Sequence, residues 1–275
     1  MTKPVLRAAV MGWPVEHSLS PRLHGFWLKK YGIAGSYEAL AVPPEKLERD
    51  LRDLPKQGFR GANLTIPHKE AASRLVDRLD KAAALIGAVN AVVVKNDGEL
   101  EGRNTDAYGF AQSLLASGFK RHGAATVLGA GGGARAVVAA LRDLGFSEIR
   151  IVNRTLERAE ALAAQLKIDA RIFAWNNYRE AFPDAGLLVN ATSLGMQGQP
   201  PLGIALEELP QDATVTDLVY APLATGLLAE AQKRGHKAVD GLGMLLHQAR
   251  PAFKAFFGRD PEVSDELRRY VLGGG

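Results

Sequence analysis

The sequence predicts a two-domain α/β protein, and three observations carry that prediction. Short apolar runs alternate with longer amphipathic segments through the first third of the chain, the pattern of a mainly parallel sheet with helices packed on it. Asn96-Asp97-Gly98 then interrupts the alternation with a hairpin signal. The alternation restarts at "VLGAGGGARA", a glycine-rich turn between an apolar β-branched run and a helix. A length of 275 residues suits two domains at roughly 150 residues each.

The elements follow in order. "RAAVMG" (Arg7–Gly12) is a buried strand ending in a glycine turn. "SPRLHGFWLKKYG" is a helix with Ser20 as N-cap, Pro21 at the first helical position and Gly32 as terminator. "SYEALAV" is strand, "PEKLERDLRDLPKQG" an amphipathic helix, "GANLTI" strand, and "HKEAASRLVDRLDKAAALIG" one helix. After the hairpin, "EIRIVNR", "ARIFAW", "LLVNATS" and "TVTDLVY" are strands, with "LERAEALAAQL" and "GLLAEAQKRG" as helices between them. The helical tail, "LLHQARPAFKAFFG" and "SDELRRYVL", has no strand of the second unit to serve and is expected to return to the first. The expected division is residues 1–105 with 241–275 as one domain, and 106–240 as the other.

Composition narrows the function classes. Hydrophobic residues make up 47% and charged residues 23%, a globular composition. There is no cysteine, which excludes disulfides, thiolate metal sites and cysteine nucleophiles. The N-terminus lacks the apolar core of a signal peptide, and no run is long enough to span a bilayer. The expectation is a cytoplasmic protein with no membrane partner. The net charge of +4 is spread without a Lys/Arg block, so no nucleic-acid partner is expected. The six histidines fall in no ligand spacing, so no metal is expected.

In the glycine-rich turn, Gly129, Gly131 and Gly133 stand with Ala130 and Gly132, and Ala134 takes the place of the last glycine of G-x-G-x-x-G/A. Glycine lets backbone N–H groups approach a pyrophosphate, and the helix N-terminus directs partial positive charge at it. This is the Rossmann fingerprint. At the end of the next strand an acid would select NAD, but the residues are Asn153, Arg154 and Thr155, with Arg158 a turn later. Two guanidinium groups and a hydroxyl suit a 2′-phosphate, so NADP is the expected cofactor. The competing reading is a solvated helix N-terminus.

"NLTIPHK" holds more polar groups than a connecting turn needs. Ser18, Ser20, Asn63, Thr65, Lys69, Asn90 and Asp106 each follow a strand or start a helix, where open α/β sheets bind ligands. Hydroxyls and amides orient a polyhydroxylated ligand, while Lys69 and Asp106 supply proton chemistry. Ser20, Thr105 or Asp106 could equally be N-caps. His68 could be named as a base, but adjacent residues usually point apart.

The chain resembles the shikimate dehydrogenase family over essentially its whole length. The resemblance rests on "HSLSPRLH", "GANLTIPHK", "IGAVNAV", "GRNTDAYGF", "GAGGGARA" and "NRTLER", then "NATSLGM", "DLVYAPLATGLLAEAQKRG" and "DGLGMLLHQA". The departures are Leu64 for Val, Ala91 for Thr, Gly25 for the common Asn and Gly133 for the common Ala. The resemblance implies an NADP-dependent oxidoreductase that interconverts 3-dehydroshikimate and shikimate, a step of the pathway to chorismate and the aromatic amino acids. It implies a substrate domain and a Rossmann domain with the cleft between them. Ser18 and Ser20 would hold the ring carboxylate, and Asn63, Thr65, Asn90, Asp106 and Gln248 the ring hydroxyls. Tyr220 would approach the ligand, and Lys69 and Asp106 would form the catalytic pair. Thr192, Leu218, Gly241 and Met244 would join the cofactor site. The implied partner is the small-molecule substrate, with the chain acting as a monomer or homodimer. The rivals are a quinate or dual quinate/shikimate dehydrogenase, and a regulatory module that binds the ligand without turnover.

Overall fold

Two six-stranded sheets, each with its own helices, organise residues 5–274, the residues that the computed structural model describes. The chain up to Thr105 and the chain from Leu245 form one unit, and Asp106–Met244 form the other.

In the first unit the chain runs β1 (Leu6–Gly12), α1 (Ser20–Lys30), β2 (Gly35–Ala41), α2 (Leu47–Asp53), β3 (Phe59–Leu64), α3 (Lys69–Ala72), β4 (Arg78–Leu79), α4 (Lys81–Ile86), β5 (Ala91–Val94) and β6 (Leu100–Arg103). The sheet order is β2-β1-β3-β5-β6-β4. β1 is parallel to both its neighbours, and β5 is antiparallel to β3 and β6. Ala8–Met11 and Gly61–Leu64 are buried throughout, as strands covered on both faces require. Leu47 and Leu51 of α2 pack with Leu54, Ala9, Met11 and Leu64 in one cluster. These contacts fix the carboxyl ends of β1 and β3, from which the two polar loops leave.

Two expectations are corrected here. The long helix expected after "NLTIP" is broken into α3 and α4 with β4 between them. Tertiary pairing overrides helical periodicity: Arg78 and Leu79 pair with Glu101 and Gly102, and the Asp77 carboxylate accepts from Leu100 N–H at 2.8 Å. Asp80 then caps α4, accepting from Ala83 N–H at 2.6 Å. Ser20 is not an N-cap either. It is the first residue of α1 behind Leu19, makes no capping bond, and is thereby available for other partners.

The second unit runs α5 (Asp106–Ala116), β7 (Ala124–Leu128), α6 (Gly132–Asp143), β8 (Ile149–Asn153), α7 (Leu156–Leu166), β9 (Ala170–Ala174), β10 (Ala185–Asn190), β11 (Thr214–Asp217), α8 (Gly226–Lys233) and β12 (Lys237–Val239). Its sheet is parallel throughout in the order β12-β11-β10-β7-β8-β9, a doubly wound arrangement. β12 was not expected from sequence, because three half-exposed residues leave no apolar run. The winding reverses between β7 and β10, the switch point where such sheets bind ligands. The tail forms α9 (Gly241–Phe257), within which the unit boundary falls, and α10 (Asp265–Val271). α10 returns to α1 in the first unit: Trp27 Nε1 donates to Glu262 O at 3.0 Å, and Lys30 pairs with Glu266 at 2.7 Å. No described helix is long and apolar enough to cross a membrane.

Candidate active site

In the first unit the polar residues sit where strands end. Asn63 is the penultimate residue of β3, and Asn90 immediately precedes β5; both are buried. Asn63 Nδ2 donates to the Asn90 carbonyl at 3.0 Å, and Asn63 Oδ1 accepts from the Tyr37 hydroxyl at 2.8 Å. The Asn90 side chain accepts from Thr105 N–H at 2.7 Å and donates to Thr105 Oγ1 at 2.9 Å. It also donates to Gln248 Oε1 at 3.0 Å, while Gln248 Nε2 donates to Leu245 O at 3.1 Å. Asn63, Asn90 and Gln248 are thus joined in one buried network of neutral donors and acceptors. Each amide is held in one orientation, because a flip would leave buried groups unpaired at roughly 1–3 kcal/mol each.

The segment after β3 is held from both sides. Thr65 N–H donates to Met11 O, and Lys69 O accepts from Val89 N–H at 2.8 Å. Thr65 and Lys69 are half-buried, with Lys69 opening α3. His68 turns into the protein instead: it is buried, and its Nε2 lies 2.8 Å from Val42 O. Burial lowers its pKa, so it is a neutral packing residue. Ser18 Oγ accepts from Ser20 N–H at 3.3 Å, which brings the two serines together at the start of α1. Asp106 is buried at the start of α5.

The second unit supplies the dinucleotide features. Gly129 has φ +106°, and a Cβ there would lie 3.0 Å from Thr192 Cγ2 and 3.2 Å from Ala191 O. Only glycine lets the turn after β7 lie against the turn after β10. Around Gly131, which precedes α6, there is open space, so the helix N-terminus is accessible to a phosphate. A Cβ on Gly133 would stand 3.3 Å from Leu218 Cδ1, and one on Gly241 only 2.4 Å from Leu218 O. The glycine turn, Thr192, Leu218 and Gly241 are therefore gathered at the carboxyl edge of the sheet. Met244 is buried in α9. At the end of β8, Arg154, Thr155 and Arg158 are exposed, and Asn153 Nδ2 donates to Thr155 O at 2.7 Å. The residues present fit a dinucleotide carrying a 2′-phosphate, since no carboxylate occupies Asn153–Thr155.

A second buried network ties these loops together, and sequence reasoning missed it. Asp217 closes β11 and accepts from Asn190 Nδ2 at 2.9 Å, Val219 N–H at 2.9 Å and Thr225 Oγ1 at 2.7 Å. Thr192 Oγ1 donates to Asn190 Oδ1 at 2.7 Å. Burial pushes the Asp217 carboxyl up to about 6, against the lowering effect of those three donors. Tyr220 follows on the same loop, half-buried, with its phenol pKa raised by burial. The only signal in the sequence was a polar residue ending each of two buried strands. A cavity of about 390 Å³ lies beside Asp217 and Thr225, but none of the expected cofactor or substrate residues lines it. Among the described residues, no group of three or more His, Asp or Glu is placed to hold a metal ion.

Comparison with known proteins agrees with this geometry. The chain matches the models for the shikimate dehydrogenase substrate-binding domain at residues 10–92, for shikimate/quinate 5-dehydrogenase at 112–196 and for the shikimate 5′-dehydrogenase C-terminal domain at 241–265. It is 57% identical over 268 residues to a shikimate dehydrogenase (NADP(+)) of Paramagnetospirillum magneticum, covering 96% of this chain and 97% of the relative. The crystal structure of shikimate 5-dehydrogenase from Thermus thermophilus in complex with NADP(H) and shikimate superposes with a TM-score of 0.88 at 41% identity, covering 98% of this chain and all of that one. A quinate dehydrogenase from Corynebacterium glutamicum in complex with NAD superposes at 0.89 with 29% identity, covering 98% of this chain and 99% of that one. With both units matched and the motifs in their structural places, the chain belongs to the shikimate dehydrogenase family.

Proposed function

We propose that this chain catalyses the reversible NADPH-dependent reduction of 3-dehydroshikimate to shikimate. The observation that carries the proposal is the buried wall of Asn63, Asn90 and Gln248. Such neutral, fixed donors and acceptors suit a ring bearing several hydroxyls. Relatives with the same activity in their names, at 57% and 51% identity, support it.

The cofactor supplies the hydride when bound. The protein's task is to place the ring and manage one proton. Ser18 and Ser20 hold the ring carboxylate, while Asn63, Thr65, Asn90, Asp106 and Gln248 hold the hydroxyls. Tyr220 approaches the ligand. As the C=O bond becomes C–O, the oxygen gains negative charge, and the Lys69 ammonium gives it a proton. In the reverse direction Lys69 takes the hydroxyl proton as hydride leaves the same carbon. The Asp106 carboxylate holds the hydroxyl at the reacting carbon. The glycine turn 129–133, Thr192, Leu218, Gly241 and Met244 hold the dinucleotide, and Asn153, Arg154, Thr155 and Arg158 its ribose phosphate.

Initial rates with shikimate and quinate, each with NADP and NAD, test the reading. Shikimate with NADP should give the highest kcat/KM. Comparable quinate turnover would make this a dual-substrate enzyme. Shikimate binding with no turnover under any cofactor would make it a ligand-binding module.

A further inference from the structure

Tyr37 belongs to no motif that singled out the site, yet it bonds one of the proposed substrate contacts. It lies in β2, paired with Ala8 of β1, and is buried. β1 separates β2 from β3, and Ala8 presents only a methyl there, which leaves room for the phenol to reach over the strand. Its hydroxyl donates to Asn63 Oδ1 at 2.8 Å. Burial holds the phenol pKa well above its usual value, so the hydroxyl keeps its proton. Behind the ring, His24 stacks at 3.9 Å with an interplanar angle of 6°, and Phe253 stacks on His24 at 5.7 Å. The phenol therefore has little freedom to move.

A phenol has one proton, and here it goes to Asn63. That fixes the Asn63 carboxamide: its oxygen faces Tyr37, and one N–H goes to the Asn90 carbonyl. The second N–H then faces away from both partners, and a ligand hydroxyl that meets it is the acceptor. We infer that Tyr37 is a positioning residue for the substrate, its hydroxyl holding the Asn63 amide in its binding orientation. The inference rests on the proposal that Asn63 touches the substrate.

Tyr37→Phe tests it, because the ring and its stack on His24 remain. Steady-state kinetics and melting temperature are measured for Tyr37→Phe, Asn63→Ala and the double variant. Tyr37→Phe should raise KM for shikimate about five- to tenfold with kcat within about twofold and KM for NADP unchanged. In the Asn63→Ala background the same change should raise KM by no more than about twofold, because the amide it holds is gone. An equal factor in both backgrounds would make Tyr37 a packing residue and overturn the inference. An unchanged KM in Tyr37→Phe, with KM raised in Asn63→Ala, overturns the inference and leaves the proposed site standing. An unchanged KM in Asn63→Ala overturns both.

Discussion

Each unit carries a buried polar network, and the two are built from different chemistry. In the first unit Tyr37, Asn63, Asn90, Thr105 and Gln248 are neutral at any ordinary pH. In the second, Asn190 and Thr225 converge on a carboxylate, Asp217. The buried titratable groups beside them oppose each other as well. His24 is fully buried, neither ring nitrogen has a hydrogen-bond partner among the described residues, and burial brings its pKa down to about 3. Asp217 is pushed up to about 6. The network of amides and hydroxyls in the first unit is indifferent to protonation, whereas the loops around the glycine turn are anchored on a group that titrates.

The comparison breaks most visibly at the chemical step. Lys69→Ala should lower kcat by about 10²–10⁴-fold while shikimate and NADP still bind, since a positioned acid–base group is lost. Asp106→Asn should do the same with its fold intact. Single-turnover rates and calorimetric binding separate the two effects; near wild-type turnover in folded Lys69→Ala would remove it from the mechanism.

Acid should then act on the two units in opposite directions. The folded pKa of His24 lies below its unfolded value, so the unfolded chain binds the extra proton. Stability is present above pH 6.5 and is lost as pH falls toward 3, by about 3 kcal/mol between pH 7 and 4. His24→Phe should abolish that slope in denaturant titrations. Asp217 has a folded pKa above its unfolded value, so the folded chain binds the extra proton. Its contribution grows as pH falls from 6 toward 3.8, by about 2 kcal/mol. Asp217→Asn should therefore lose ground to the wild type in acid. Amide exchange at pH 4 should show weakened protection in β1 and α1 while β7 and β10 hold; the reverse order would contradict the assignment.

Cofactor choice should give the smallest effect. Arg154 is exposed, so its pairing with a ribose phosphate is screened by solvent. NADP should be preferred over NAD by about tenfold or more in kcat/KM. Arg154→Ala should erase most of that preference without touching the NAD rate or KM for shikimate, and added salt should narrow the gap. Equal use of both cofactors by the wild type would leave Arg154 a solvated surface residue.

The sequence by itself determined the features that depend on neighbours along the chain. The alternation of strand and helix, the Asn96-Asp97-Gly98 hairpin and the glycine turn before α6 follow from local conformational preference and hydrophobic periodicity. So did the positions of the polar motifs at strand ends. Tertiary structure decided whatever depends on partners far away in the chain. Helical periodicity through residues 69–86 gave way to β4 because Arg78 and Leu79 find a strand about twenty residues later. Ser20 resembled a helix cap and instead is the first residue of α1, behind Leu19. Asn90 bonds Gln248 across 158 positions, and Tyr37 reaches Asn63 over an intervening strand. The Asp217 carboxyl is an ordinary acid in the sequence, and only burial in the fold makes it hold its proton to about pH 6. Propensity and periodicity act over a few residues, whereas a hydrogen-bond partner and a local dielectric exist only once the chain has folded.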